Sequence, residues 1–223
     1  HSDSSSYLRY VDISGGGSDS TGEAGLMQYD GSGTHVVNRC TIQDSNRQGI
    51  AAVGSGLDMT IAGTYFGDHK TFALRVDNGP DVVVTGSVFD KVSGNDGVYI
   101  PARATASTLV ITGSQFLNGA ALSNAMAAST CVYAQENWWG SSSGPDGGGG
   151  GACSGVGSNS GTGSSISSGV DWRNYVSSAS GAPRTPITTP PAAAFTVDPL
   201  ASVAQPPGTV YPFDASGTVD VED

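Results

Sequence analysis

Val82-Val83-Val84-Thr85-Gly86-Ser87-Val88-Phe89 decides the fold of this 223-residue chain. Alternation along Val82, Val83 and Val84 puts one row of side chains inward and the other outward, as in a short strand. Glycine then allows a tight corner before Phe89. The pattern recurs along the chain. Large apolar anchors stand at Ile13, Ile42, Phe66, Phe89, Phe116 and Trp139, with spacings of 29, 24, 23, 27 and 23. Five positions before them stand Leu8, Val37, Ile61, Val84, Ile111 and Ala134; seven before the last four stand Met59, Val82, Leu109 and Val132. Gly63, Gly86 and Gly113 each lie three residues before a phenylalanine. Second strands are expected at Gly49-Ile50-Ala51-Ala52-Val53, Phe72-Ala73-Leu74-Arg75-Val76 and Gly97-Val98-Tyr99-Ile100.

A repeat of about 23 residues with two or three short strands and glycine corners reads as one coil of a parallel β-solenoid. About six coils at roughly 4.8 Å each would give a stack of about 29 Å. A leucine-rich repeat has a similar period, but no L-x-x-L-x-L pattern or helical segment accompanies the strands. Composition agrees: the 33 Gly, 31 Ser and 18 Thr favour β-structure with many turns over a helical bundle. A net charge of −11, with only Lys70 and Lys91 beside seven arginines, argues against nucleic acid or an anionic membrane as partner. No run of 18 apolar residues is present, so no membrane span is expected. The chain starts at His1 without methionine or an apolar signal segment, which reads as a mature or excised piece.

Val82 to Phe89 resembles the repeats of right-handed parallel β-helix proteins of the pectate-lyase-like superfamily. Glu136-Asn137-Trp138-Trp139-Gly140-Ser141-Ser142-Ser143-Gly144-Pro145 is similar to the N-x-W-G-x-x-x-G-P segment that closes such helices in many secreted prokaryotic surface proteins. Val170-Asp171-Trp172-Arg173-Asn174-Tyr175 resembles the V-D-x-x-x-Y/W segment that often follows. The resemblance covers residues 1–178 and implies an all-β fold. Within it, residues 140–169 read as a long Gly/Ser-rich surface loop. Residues 179–191 read as a Thr/Pro linker suited to O-glycosylation, and 192–223 resemble the opening strands of a PKD-like, immunoglobulin-like domain, a β-sandwich-like fragment.

Cys131 and Cys153 flank the Gly/Ser-rich stretch, and a bridge between them would constrain about 3 kcal/mol of loop entropy and imply an oxidising, extracellular setting. The alternative is three free thiols, with Cys40 buried as a small hydrophobe. No asparagine starts an N-x-S/T sequon.

Relatives in the superfamily include polysaccharide lyases and hydrolases. A lyase needs carboxylates for Ca²⁺ and an Arg or Lys base. The candidates for one flank are Asp58, Arg75, Asp77, Asp81, Lys91, Asp96 and Arg103. Asp58 and Asp81 occupy the same phase, eight residues before their anchors, and are expected to stack on adjacent coils as a cation or ligand site, or else to serve as turn residues at a solvated corner. Hydrolase chemistry wants clustered strand carboxylates, and the outward rows carry Val, Thr, Ala, Tyr and Gln instead. His1, His35 and His69 are scattered and read as surface histidines. Asp19, Asp30 and Asp44 read as turn residues. Asp214 and Asp220, with Glu222 and Asp223, could ligate Ca²⁺ or form a solvated acidic tail. Of Trp138 and Trp139 one should be core, leaving Trp138 as the candidate for stacking on sugar. Thr60, Thr85 and Thr112 do not form a single outward row, which disfavours an ice-binding array.

The function expected is a non-catalytic extracellular structural or adhesive module without a cofactor. The competing reading is a carbohydrate-binding or polysaccharide-degrading protein. The strand from Tyr7 to Ile13 starts almost at the terminus, and residues 192–223 are too few for a sandwich. One expectation is therefore head-to-tail self-association into a filament by β-strand addition; the others are a cut chain or a missing capping domain.

Overall fold

The computed structural model describes residues 5–16, 26–90, 96–102 and 107–179. No helix occurs among them; short parallel strands stack into three sheets. The first sheet runs Ser6–Arg9, Gly33–Asn38, Leu57–Ala62, Asp81–Thr85, Thr108–Thr112, Val132–Tyr133 and Val170–Asp171. The second holds Asp12–Gly16, Thr41–Ser45, Tyr65–Gly67, Val88–Asp90 and Gln115–Phe116, extended by a bridge between Gln115 and Trp138. In the third, Met27–Asp30, Ile50–Val53, Leu74–Asp77, Asp96–Ile100 and Ala121–Asn124 are followed by Ser165–Ile166, Asp146–Gly147 and Asn159–Ser160. Every pairing is parallel except that of Asp146–Gly147 with Asn159–Ser160. The chain thus visits the three sheets in turn and advances one strand per circuit, which makes a parallel β-solenoid.

The apolar rows fall in register as the repeat requires. Leu8, Val37, Ile61, Val84 and Ile111 are consecutive partners, and so are Met59, Val82 and Leu109. The anchors Ile13, Ile42, Phe66, Phe89 and Phe116 pair likewise on the second sheet. Phe66, Phe89, Phe116 and Trp139 form one continuous interior stack, with ring centroids 5.0, 4.9 and 4.4 Å apart and all four side chains fully buried. Such offset stacking adds to area burial by about 1 kcal/mol per contact.

One residue turns the chain from the first sheet to the second in every coil. Gly63, Gly86 and Gly113 sit there at φ of 56°, 53° and 58°. Tyr10, Arg39 and Glu136 take the same left-handed conformation at 55°, 52° and 60°. Side chains are uncommon in this region because Cβ crowds the backbone. The next residue builds a buried polar ladder. The amides of Thr64, Ser87 and Ser114 donate to Ser87 Oγ, Ser114 Oγ and Asn137 Oδ1 of the following coil at 3.2, 3.1 and 2.8 Å. The hydroxyls donate back to Ala62, Thr85 and Thr112 carbonyls, and Asn137 Nδ2 to that of Ile111. No polar atom of this ladder is left idle, so burying it is cheap. Cys40, a buried free thiol, occupies the equivalent position one coil earlier and donates to the carbonyl of Asn38.

The Gly/Ser stretch differs from expectation. Residues 140–169 supply three strands of the third sheet and the buried side chains of Cys153, Val156, Ser164 and Ile166. Glycine makes this coil possible by close approach: a Cβ on Gly147 would lie 2.4 Å from the Ile166 carbonyl, and one on Gly149 2.1 Å from that of Gly157. The Cys131–Cys153 disulfide ties the coil to the first sheet, its Cα atoms 4.9 Å apart. Asp171 closes the same end: its carboxylate accepts from Gln135 Nε2 at 2.6 Å and from Arg173 Nε and Nη2 at 2.9 and 2.8 Å. The Thr/Pro linker at 179–191, apart from residue 179, and the PKD-like stretch at 192–223 lie outside the described residues.

Candidate functional site

Outward side chains of the third sheet line a shallow cleft of about 300 Å³ bounded by Phe72, Arg75, Tyr99, Pro101 and Ala102. Tyr99 is the register partner of Arg75 one coil on, which fixes both on this face. Phe72 precedes the Leu74–Asp77 strand and stacks on Tyr99, with centroids 4.3 Å apart and planes 17° from parallel. Arg75 is not a solvated base. Its guanidinium pairs directly with the Asp77 carboxylate, and the two side chains are 6% and 2% exposed. Taking both charges out of water is costly, and their mutual attraction offsets that cost. The cleft therefore presents a stacked ring pair beside a buried ion pair.

The first sheet brings Asp58 and Asp81 together as direct register partners, flanked by Thr34 and Thr108 on the same row. All four are exposed. Among the described residues no group of three His, Cys, Asp or Glu is placed to share a metal ion. The remaining members of the expected flank do not join them: Arg75 and Asp77 lie on the third sheet. Lys91, Arg103 and the side chain of Asp96 lie outside the described residues, as do His1, Asp19, Asp214 and Asp220. Asp30 ends a strand, and Asp44, expected in a turn, lies instead within the Thr41–Ser45 strand at a left-handed φ of 57°. Trp138 is half-buried beside Gln115, while Trp139 is core, so the two tryptophans divide as alternation demands. Thr85 and Thr112 do stack, but Thr60 stands in the neighbouring row with Val83.

The histidines require a correction. His35 is 5% exposed and packs against Tyr29, with ring centroids 4.7 Å apart; His69 is fully buried against Phe66 and Gly49. Burial pulls the His69 pKa down to about 4, opposed by hydrogen bonding to the Ile42 backbone and by the Asp68 charge. Since the unfolded chain takes up this proton near pH 6.5 and the folded one only near 4, stability is intact above 6.5 and falls between these values. We expect a loss of about 2 kcal/mol between pH 7 and pH 5. The Asp171 carboxyl is lowered, chiefly by its hydrogen bond from Arg173, so its contribution disappears only at still lower pH, as the folded-state pKa is crossed. Urea midpoints at pH 7, 6 and 5 test the first window; His69→Gln should flatten it, and an unchanged slope would refute it.

Sequence reading missed Phe72 and Tyr99 as a pair. Tyr99 was visible as an outward residue of Gly97-Val98-Tyr99-Ile100, and its distance of 24 residues from Arg75 matches the coil period. The ring contact with Phe72 joins two coils across a corner, where period-two alternation carries no information.

Residues 2–139 match the family described as right handed beta helix region, which is more than half of the chain. No curated protein matches the chain, and no solved structure does. Stacked parallel sheets, the repeated left-handed corner and this match agree: the chain belongs to the right-handed β-helix family.

Proposed function

We propose that the protein is a non-catalytic extracellular β-helix module that acts by adhesion or assembly. The observation that carries this reading is the Arg75–Asp77 pair. The one cationic side chain lining the cleft is committed to a carboxylate and nearly sealed from solvent. The Asp58–Asp81 pair, on another sheet, has no Lys or Arg on its own row to serve as base. The Cys131–Cys153 bridge supports an oxidising location. The Phe72–Tyr99 platform favours a second reading, in which the cleft holds carbohydrate without cleaving it.

The test is a screen of acidic and neutral polysaccharides for new unsaturated or reducing ends. The expected result is no turnover above that of a heat-denatured sample. Turnover abolished by Arg75→Ala or Asp81→Ala would overturn the non-catalytic reading. Self-association is read by light scattering on the full chain and on the chain without residues 185–223.

A further inference from the structure

Among the described residues, the exposed large hydrophobic side chains are Tyr7, Val83 and Tyr133, at 62%, 40% and 49% exposure. They come from three distant parts of the sequence, yet all stand in one row. Register runs Tyr7, Val36, Thr60, Val83, Val110, Tyr133 across six consecutive strands of the first sheet. At about 4.8 Å per strand this stretch of the row is about 24 Å long, with a tyrosine at each end, β-branched side chains between and the buried Asp171 next in register beyond Tyr133. Scattered exposed apolar residues need no explanation, but a single aligned row does.

The neighbouring rows differ in kind. On one side stand the exposed Thr34, Asp58, Asp81 and Thr108, and on the other Arg9, Asn38, Ala62, Thr85 and Thr112. An apolar strip thus runs between two lines of mostly hydrogen-bonding groups. That is the complement of a linear sugar polymer, whose rings have apolar C–H faces and a rim of hydroxyls. Tyrosine suits such a site because its ring packs while its hydroxyl stays wet. A second copy of this chain fits less well. Three outward rows over six strands cover roughly 600 Å², against about 800 Å² per partner in a stable dimer.

Charge narrows the polymer. Asp58 and Asp81 stand on successive strands with no Lys or Arg in their row, in a chain of net charge −11. The cations bordering the strip stand at its two ends, Arg9 over the Tyr10 ring and Arg173 paired with Asp171. Two adjacent carboxylates repel a polyanion and accept hydrogen bonds from hydroxyls. We propose that the outer face of the first sheet binds a linear neutral polysaccharide along the Tyr7–Tyr133 row, separately from the cleft at Phe72 and Tyr99. This rests on the adhesive reading above and names its partner.

Affinity electrophoresis of the full chain in gels containing hydroxyethylcellulose, with polygalacturonate as the anionic comparison, tests the proposal. Retardation is expected in the neutral glucan and not in the polyuronate. Tyr133→Ala and Tyr7→Ala should each weaken retention about tenfold, in keeping with one aromatic contact. Both side chains are exposed, so the thermal midpoint should not move, and Tyr99→Ala should leave retention intact. Asp58→Lys with Asp81→Lys should bring on retention by polygalacturonate. No retardation by the neutral glucan would overturn the proposal, as would retention lost with Tyr99→Ala but indifferent to Tyr133→Ala. A dimer dissolved by Tyr133→Ala, without an effect on glucan, would assign the row to a second copy and overturn it too. Turnover in the polysaccharide screen would sink the non-catalytic reading without touching the retention result, so the two can fail separately.

Discussion

Phe89→Ala should cost about 3–5 kcal/mol, enough to remove much of the stability of a domain this size. Phe89 is fully buried and has an aromatic ring on each side, Phe66 at 5.0 Å and Phe116 at 4.9 Å. Removing it opens a cavity in the middle of the stack and cancels two ring contacts at once. In a solenoid each coil touches mainly its neighbours, so a failed central rung also uncouples the two halves. Urea unfolding followed by tryptophan fluorescence should show a lower midpoint and a broadened or split transition, because Trp139 reports on one half only. Phe89→Leu should restore about half of the loss, and Val83→Ala, from the outward face of the same coil, should cost less than about 1 kcal/mol. A Phe89→Ala midpoint within error of the native one would refute the account of the core.

The second large effect belongs to the disulfide. Cys131 and Cys153 are 22 residues apart, and releasing a loop of that size frees about 3 kcal/mol of chain entropy in the unfolded state. Cys131→Ser with Cys153→Ser should therefore lower stability by about that amount. The damage should begin at the closing coil, whose other fastenings are short backbone contacts such as Ala152 N to Ala127 O and Gly148 N to Ile166 O. Hydrogen exchange at Gly148, Ala152 and Ser167 should speed up before that at Ile61 or Val84. Cys40 is buried, so the native protein should show no reactive thiol until it is reduced or unfolded. Equal protection in both regions after the double substitution would show that the bridge does not hold the coil.

The apolar rows were legible because coil and sequence share a period. Leu8 to Ile111 and Ile13 to Phe116 recur at matching offsets, and stacking them makes the core. The three phenylalanine corners with glycine were visible for the same reason. Tyr10, Arg39 and Glu136 were not recognisable at that corner, since ordinary side chains give no sign of a left-handed backbone. The closing coil was hidden for the opposite reason: its packing is backbone against glycine at Gly147 and Gly149, which leaves no apolar pattern to read. His69 is buried by a neighbour from the preceding coil, Gly49, and no local feature of Asp68-His69-Lys70 announces that contact. At the surface, the phase of Asp58 and Asp81 could be counted, whereas the Phe72–Tyr99 contact crosses coils at a corner and could not.

The left-handed corner has a consequence for how such a chain can lengthen. From Tyr10, Arg39, Gly63, Gly86, Gly113 or Glu136 to the next anchor is always three residues, yet successive corners lie 29, 24, 23, 27 and 23 apart. All variation in coil length therefore falls elsewhere in the circuit. This corner keeps time, and the remaining joints absorb slack. A segment cut from one such residue to the next, Gly63 to Gly86 for instance, is a cassette with matching ends. Duplicating or deleting it would preserve the phase of each later strand, so the chain can gain or lose whole storeys by unequal recombination without a frame of side chains ever turning inside out.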